Sequence, residues 1–363
     1  LWGSLTPKPP GRVLRYNMVM AEGEEISDRA GRRFALSPDG TRFVYVATDG
    51  RLRVRDRDQL SARVLPGTQG ARSPFFSPDG RHVGFISDGE LKRVALAGGP
   101  VVAMTNEVDP WGTLDWGADG FIYATWPGFS GLFRLLPEAG ASLTPVTTLD
   151  PEARESGHTS PDALPNGRGV LFTARHAALG ISRHSIAVAD LETGRHKILM
   201  PGLYARYAVS GHIVYVTPDS TLMVAPFDQD RLEVTGPGRV VSGGQRVGFR
   251  ASVDLEISQT GTLVYATGPG WRDSELMWVS RDGTAEPIDE EWRGNFSHPA
   301  LSPDGSSLAV VLTTAETAQV WIRDLDTGAV RKLTIDHKVT GYPSWSPDGT
   351  AVTFFSNESE SVD

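Results

Sequence analysis

One tetrapeptide, Ser-Pro-Asp-Gly, occurs four times at corresponding places of a repeating unit, and its copies end at Gly40, Gly80, Gly305 and Gly349. Each copy follows a short apolar stretch and precedes a strand-like run such as Phe43 to Val46. Proline presets φ for the second position of a type I turn, aspartate bonds nearby backbone amides, and glycine takes the left-handed conformation that closes a hairpin. The tetrapeptide therefore predicts a β-hairpin, whose aspartate we expect to stabilise the turn rather than to bind metal or catalyse a reaction.

Four degenerate copies of the turn lie between the second and third perfect copies, at Gly120, Gly167, Gly211 and Gly261. Successive turn glycines are 40 to 50 residues apart, which is the length of one propeller blade of four short strands. We number the eight units one to eight in chain order by these glycines. The pattern predicts an all-β fold: a linker at residues 1–10, then a single β-propeller over residues 11–363 with seven to eight four-stranded antiparallel blades, the last of them incomplete.

Composition narrows the classes of function. The chain has 363 residues, a net charge of −9 and no basic run, so nucleic acid is not expected as a partner. It has no cysteine, which excludes disulfides, thiolate nucleophiles and cysteine-ligated zinc. The sequence contains neither an apolar run of 18 residues nor a signal peptide. Because it opens on Leu1 and ends soon after two strands of unit eight, we expect a piece of a longer polypeptide that contacts a membrane only through a segment outside this chain.

Motifs for catalysis and cofactor binding are absent from the sequence. It contains no Gly-x-Ser-x-Gly elbow, no phosphate-binding glycine loop followed by Lys-Ser/Thr, no His-Glu-x-x-His and no kinase catalytic-loop motif. The eight histidines are scattered over different units. We therefore expect no catalytic residue, no cofactor and no metal site.

The segments before each first strand are the candidate binding residues. In a propeller the connections that lead into the innermost strands converge at one mouth of the central channel. Arginine and aromatic side chains, which are enriched at binding hot spots, occur in these segments. The predicted rim consists of Arg72, Asp109, Trp111, His158, Tyr204, Arg206, Arg250, His298 and Tyr342. We expect this rim to bind a protein, a peptide or a small ligand.

Several units also resemble a known repeat. The segments LSPDGTRFVYVA, FFSPDGRHVGFIS, GTLVYATG and WSPDGTAVTFFS are similar to TolB-like, or WD40-like (PD40), propeller repeats. In their order they resemble the propeller region that follows the transmembrane helix in many bacterial eukaryotic-like serine/threonine protein kinases. The resemblance covers nearly the whole chain.

This resemblance implies a non-catalytic binding propeller outside the inner membrane, acting as the sensor or interaction region of a receptor-like kinase. Related propellers imply two alternatives. One is a propeller that gates a prolyl-oligopeptidase-type hydrolase, and the other is a Tol-like periplasmic assembly factor.

Overall fold

The computed structural model describes residues 15, 17–28, 31–125, 130–176, 184–248, 251–268, 274–314, 317–334 and 340–356. These residues form 31 β-strands and no α-helix. No helix among them is long and apolar enough to cross a membrane. The prediction of an all-β fold is confirmed.

The first five units form sheets in which consecutive strands pair antiparallel. Unit one contains β1 (Phe34–Leu36), β2 (Arg42–Val46), β3 (Leu52–Asp56) and β4 (Arg63–Val64); unit two contains β5 (Arg72–Phe76), β6 (His82–Ser87), β7 (Glu90–Ala95) and β8 (Val102–Thr105). Unit three contains β9 (Asp115–Trp116), β10 (Ile122–Thr125), β11 (Leu132–Leu135) and β12 (Thr144–Pro145); unit four contains β13 (Glu155–Ala163), β14 (Gly169–His176), β15 (Ser185–Asp190) and β16 (His196–Pro201). Unit five contains β17 (Tyr204–Ala208), β18 (His212–Val216), β19 (Leu222–Asp228), β20 (Glu233–Val234) and β21 (Arg239–Ser242), and the last two strands both pair with β19.

The later units are less uniform. Unit six has two separate pairs, β22 (Leu255–Ile257) with β23 (Leu263–Tyr265) and β24 (Met277–Val279) with β25 (Ala285–Pro287). Unit seven is a four-stranded sheet of β26 (Asn295–Leu301), β27 (Ser307–Thr313), β28 (Ala318–Asp324) and β29 (Val330–Lys332). Within the described residues unit eight has β30 (Thr340–Trp345) and β31 (Val352–Ser356), and the expectation of an incomplete last blade stays a prediction.

The tetrapeptide forms the hairpin that its residue types predict. In unit one the amide of Gly40 donates to the carbonyl of Ser37 at 2.8 Å, and Gly40 has a φ of +73°. The Ser37 hydroxyl donates to Asp39 Oδ1 at 2.6 Å, and the same oxygen accepts the amide of Thr41. The Ser37 hydroxyl is the main cause that holds the pKa of Asp39 below its ordinary value. The same serine–aspartate bond recurs in units two, seven and eight.

The innermost strands of six units form a closed ring. Strand β1 contacts β5, and the contacts continue through β9, β13 and β17 to β22, which returns to β1. Hydrophobic clusters fill the spaces between neighbouring sheets; Val44 and Val54 of unit one, for example, pack with Val83 and Phe85 of unit two. This arrangement is a β-propeller.

Units one and six meet at the seam that closes the ring. Arg33 Nε donates to Asp254 at 2.7 Å, and the amide of Gln259 donates to the carbonyl of Pro38 at 2.8 Å. On the apolar side of the seam, Val264 packs against a cluster that contains Tyr45. Backbone bonds, an ion pair and apolar packing therefore all join the two ends of the ring.

The predicted number of seven to eight blades is not confirmed, because the ring closes after unit six. Units seven and eight follow it, and their innermost strands β26 and β30 contact each other. The spacing of the turns gives the number of units along the chain, whereas closure of the ring depends on which sheets pack together. The boundaries proposed from the sequence, a linker at 1–10 and one propeller over 11–363, stay predictions.

Gly40 gives a test of the seam. A Cβ at Gly40 would lie 2.9 Å from Thr260 Oγ1, a hydroxyl that donates to the carbonyl of Asp39. Gly40→Ala should therefore lose about 1–2 kcal/mol from the left-handed backbone and about 1 kcal/mol more from the disturbed seam. The matched control is Gly120→Ala, which has a φ of +86° and open space around the new Cβ. Urea unfolding measures both variants, and equal losses would contradict the seam.

Candidate functional site

One strand position faces the channel in every unit of the ring. It lies two residues before the first residue of the turn, and side-chain alternation along the strand places it toward the axis. In units one to six it is occupied by Ala35, Phe75, Asp115, Asp162, Arg206 and Glu256. All six residues line one cavity of about 130 Å³, which we call the funnel. The funnel is therefore apolar on the side of units one and two and charged on the side of units three to six.

The walls and mouth of the funnel come from the turns themselves. The next residue of each unit also lines it: Leu36, Phe76, Trp116, Ala163, Tyr207 and Ile257. The residue at the proline position of each turn forms the mouth: Pro38, Pro78, Ala118, Pro165, Val209 and Gln259. Most of these side chains are apolar. The funnel thus opens at the channel mouth where the first strands end, opposite the mouth where they begin.

Arg32 closes the floor of the funnel from unit one. Its side chain is 1% exposed and donates to Glu256 Oε1 at 2.8 Å. The other terminal nitrogen donates to the carbonyls of Pro74 and Leu114, at 3.0 Å each. The first nitrogen also donates to the hydroxyl of Tyr204 at 3.3 Å. One guanidinium therefore connects unit one to units two, three, five and six.

Arg206 completes the network from unit five. Nη1 donates to Asp162 at 2.8 Å and to the carbonyl of Pro161 at 2.9 Å, and it lies 3.9 Å from Asp115. Nη2 donates to Glu256 at 3.3 Å. The Nε groups of Arg32 and Arg206 have no hydrogen-bond partner within the described ranges. The network joins all six units.

Two aspartates of the funnel hold protons unusually tightly. Burial, opposed by Arg206 and reinforced by the charge of Asp115, raises the pKa of Asp162 to about 7. Burial likewise raises the pKa of Asp115. The two side chains keep 23% (Asp115) and 13% (Asp162) of their surface exposed, so both carboxyl groups face the cavity. Because the two groups interact, their titrations are linked.

Two prolines turn backbone carbonyls into the channel. Ser73 and Ser160 have φ values of +48° and +56°, and each precedes a proline at a break in the strand register. The carbonyls of Pro74 and Pro161 then accept bonds from Arg32 and Arg206. In the sequence these prolines lie three residues before the first residue of the turn.

At the opposite mouth the structure brings together three residues of the predicted rim. The guanidinium of Arg72 lies 3.9 Å from the centroid of the Trp111 ring, which is 39% exposed. Asp109 accepts the amide of Trp111 at 3.0 Å. This cluster of units two and three has the exposure that a contact surface requires, and its binding role stays a prediction.

The other predicted rim residues lie elsewhere. Tyr204 and Arg206 are buried in the floor of the funnel, and His158 is buried against Phe172 of its own unit. The rings of His298 in unit seven and Tyr342 in unit eight contact each other, with 4.2 Å between their centroids and an angle of 52° between their planes. Arg250 lies outside the described residues. The nine residues do not form one rim, because they belong to different depths of the channel and to units beyond the ring.

Four charged residues of the funnel are not among the residues predicted from the sequence. They are Arg32, Asp115, Asp162 and Glu256. Three of them could have been found by aligning the units on the turn and reading the position two residues earlier. Arg32 lies five residues before the first residue of its turn, so this alignment does not identify it.

Comparison with known proteins gives a family match for the end of the chain. Residues 275–359 match the family Gmad1, described as the lipoprotein LpqB beta-propeller domain. The matched segment is under a quarter of the chain and contains the outer strands of unit six with units seven and eight.

Solved structures of propellers are also similar. TolB from Acinetobacter baumannii is 14% identical with a TM-score of 0.37, and the match covers 86% of this chain and 56% of that chain. A putative TolB from Agrobacterium tumefaciens is 19% identical with a TM-score of 0.32, covering 81% of this chain and 94% of that one. Hydrazine synthase from Kuenenia stuttgartiensis is 12% identical with a TM-score of 0.39, and the match covers 96% of this chain and 99% of that chain. Likenesses at this level concern the general fold and say nothing about a ligand.

Removing the charge of Arg32 tests the network. Arg32→Met leaves Glu256 with only part of its compensation in a buried site, so we expect a loss of about 3–5 kcal/mol in the free energy of unfolding. The control is Arg42→Met. In the wild type Arg42 pairs with Asp56, and the two side chains are 39% and 41% exposed. This variant should therefore lose less than about 1 kcal/mol in the free energy of unfolding. Similar losses in both variants would show that Arg32 does not hold the ring together.

The raised pKa of Asp162 predicts a pH dependence. The folded chain holds more protons at this site than the unfolded chain between the ordinary value of 3.8 and about 7. The contribution of Asp162 to stability is therefore present at low pH and lost as pH rises through about 7. Relative to Asp162→Asn, the wild type should become less stable from about pH 4 to about pH 8 in urea unfolding.

Asp304 is a control whose contribution to stability should change with pH in the opposite direction. The hydroxyl of Ser302 holds the pKa of Asp304 below its ordinary value. Its contribution to stability is therefore present above the ordinary value and lost as pH falls. A wild type that gained stability over Asp162→Asn with rising pH would contradict the assignment for Asp162.

Proposed function

We propose that this chain is a non-catalytic binding propeller that recognises its partner through the funnel. The observation that supports this proposal most strongly is the combination of apolar walls with a charged floor in one cavity that opens to solvent. Apolar walls contribute affinity through burial, and a few fixed polar groups select the ligand.

The size of the funnel indicates how a ligand would use it. Its volume of about 130 Å³ is smaller than the roughly 300–1,000 Å³ of pockets that enclose a whole small molecule. A single side chain or end group fits it better than an entire ligand does. We therefore propose that one group of a peptide or protein partner inserts into the funnel while the rest lies on the mouth.

Charge indicates the chemistry of that group. The floor holds three carboxyl groups, Asp115, Asp162 and Glu256, against two guanidinium groups, Arg32 and Arg206. A cation inserted beside the aspartate pair would favour its ionised form and would pair with the surplus negative charge. The proposed ligand group is therefore a lysine or arginine side chain, bound more tightly at higher pH.

We also propose a place in the cell envelope and an association with a receptor-like serine/threonine kinase. The envelope location is supported by the family matched at residues 275–359, which is named for a lipoprotein. The association with a kinase rests on the order of the repeat segments alone. The sequence of the polypeptide before Leu1 tests it: a kinase domain with an apolar span supports the association, and a hydrolase after Asp363 without a kinase contradicts it.

Two blocked tripeptides test the funnel by isothermal titration, acetyl-Ala-Lys-Ala-amide and acetyl-Ala-Glu-Ala-amide. The lysine peptide should bind and the glutamate peptide should not. Asp115→Asn keeps an acceptor for the amide of Ala163, so it should weaken the lysine peptide by about tenfold or more without unfolding the ring. Trp111→Ala, at the opposite mouth, should leave binding unchanged. Loss of binding in Trp111→Ala but not in Asp115→Asn would move the site to that opposite mouth.

A further inference from the structure

Three metal-ligating side chains meet in unit four, away from the funnel. Glu155 and His158 belong to the innermost strand β13, and His196 begins the outermost strand β16. His158 Nε2 lies 3.0 Å from Glu155 Oε2, and His196 Nε2 lies 3.0 Å from Glu155 Oε1. Strands β14 and β15 lie between these two strands; Ala187 and Ala189 of β15 are small and fully buried, and the two imidazole rings are 4.9 Å apart between centroids, both beside Phe172 of β14. Side chains from opposite edges of one blade therefore converge on a single carboxylate.

The spacing of the ligand atoms suits a metal ion. One ligand atom from each side chain lies within 4.8 Å of the other two. Tetrahedral zinc with bonds of about 2.0–2.1 Å holds its ligand atoms about 3.3 Å apart. The nitrogen–oxygen separations are already near that value. We expect the imidazole of His196 to move when the ion binds, because its side chain is 13% exposed whereas that of His158 is 0% exposed.

The charge of the site supports a cation. The side chain of Glu155 is 1% exposed, and its ion-pair partners within the described part of the chain are the two imidazoles. No lysine or arginine among the described residues pairs with it. Burying an ionised carboxylate is costly unless it is paired, and a bound metal ion would pair with Glu155 more strongly than an imidazole does.

The surrounding hydrogen bonds orient the ligands. Thr147 Oγ1 lies 2.7 Å from His158 Nδ1, and it accepts the amide of Leu132 at 2.8 Å. The amide of Asp150 donates to Glu155 Oε2 at 2.6 Å. A metal-bound histidine usually directs its second nitrogen to an oxygen atom, which fixes its tautomer and ring orientation. The Thr147 hydroxyl of unit three occupies that place for His158.

We propose that Glu155, His158 and His196 bind one divalent transition-metal ion at the boundary between units three and four. The proton on each imidazole moves to Nδ1, so that both Nε2 lone pairs face the ion, and His158 then donates from Nδ1 to Thr147 Oγ1. Two imidazoles and one carboxylate are ligands that zinc accepts, and they leave one coordination position for water or a further ligand. The ion links the innermost and outermost strands of unit four.

The direct test is titration of the EDTA-treated protein with ZnCl₂ by isothermal calorimetry. We expect one ion per chain and a rise in melting temperature with zinc. His196→Gln, which removes the most exposed ligand, should weaken zinc binding by more than about tenfold and should abolish the rise in melting temperature. The matched control is His212→Gln, because His212 is a histidine of unit five that bonds only to Ser210 among the described residues; this variant should bind zinc as the wild type does.

The zinc titrations can overturn the proposal. Absence of stoichiometric zinc binding, or equal binding in His196→Gln and the wild type, would show that the three side chains form a hydrogen-bonded cluster without a metal. Co²⁺ gives an independent readout, since three protein ligands with one further ligand produce the visible absorption of four-coordinate cobalt. Absorption typical of hexa-aqua cobalt in the wild type would also contradict the site.

Discussion

The ring depends on two buried arginines that bond across its axis. Arg32 of unit one and Arg206 of unit five both donate to Glu256 of unit six. Together they also donate to carbonyl or carboxyl oxygens in units two, three and four. Each blade of a propeller packs only on its two neighbours, so such a network is the means by which distant blades contact one another. It also closes the channel, which turns the space above it into the funnel. The same charges therefore hold the fold together and define the candidate site.

The local structure was predictable because its causes are local. The turn residues act through bonds that span two to five positions, such as Ser37 to Asp39 and Ser37 to Arg42. Strands followed from the apolar runs around those turns. Closure was not predictable in the same way, since it depends on contacts such as Arg33 to Asp254, whose partners are 221 positions apart. A pattern of eight similar units does not predict which two of them pack together to close the ring.

In the candidate site, too, local features were predictable from the sequence and long-range contacts were not. The repeat pattern led to the channel, and Tyr204 and Arg206 do belong to it. It did not identify the acidic residues of the funnel, because no single unit shows that Asp115 of unit three and Asp162 of unit four line the same cavity. The cluster of Glu155, His158 and His196 was hidden for a related reason. Its third member comes from the far edge of the sheet, 38 positions after His158 in the sequence.

The absence of cysteine from the chain allows ring closure to be measured directly. Thr41, Thr262 and Thr350 each follow the turn glycine, in units one, six and eight. In the described ring a Cβ at Gly40 would lie 3.2 Å from Thr262 Oγ1, so Thr41, the next residue in the chain, is close to Thr262 across the seam. The double variant Thr41→Cys with Thr262→Cys should be joined rapidly by a short bismaleimide, and Thr41→Cys with Thr350→Cys should not. Cross-linking of the second pair instead of the first would contradict a ring of six and support a ring that includes all eight units.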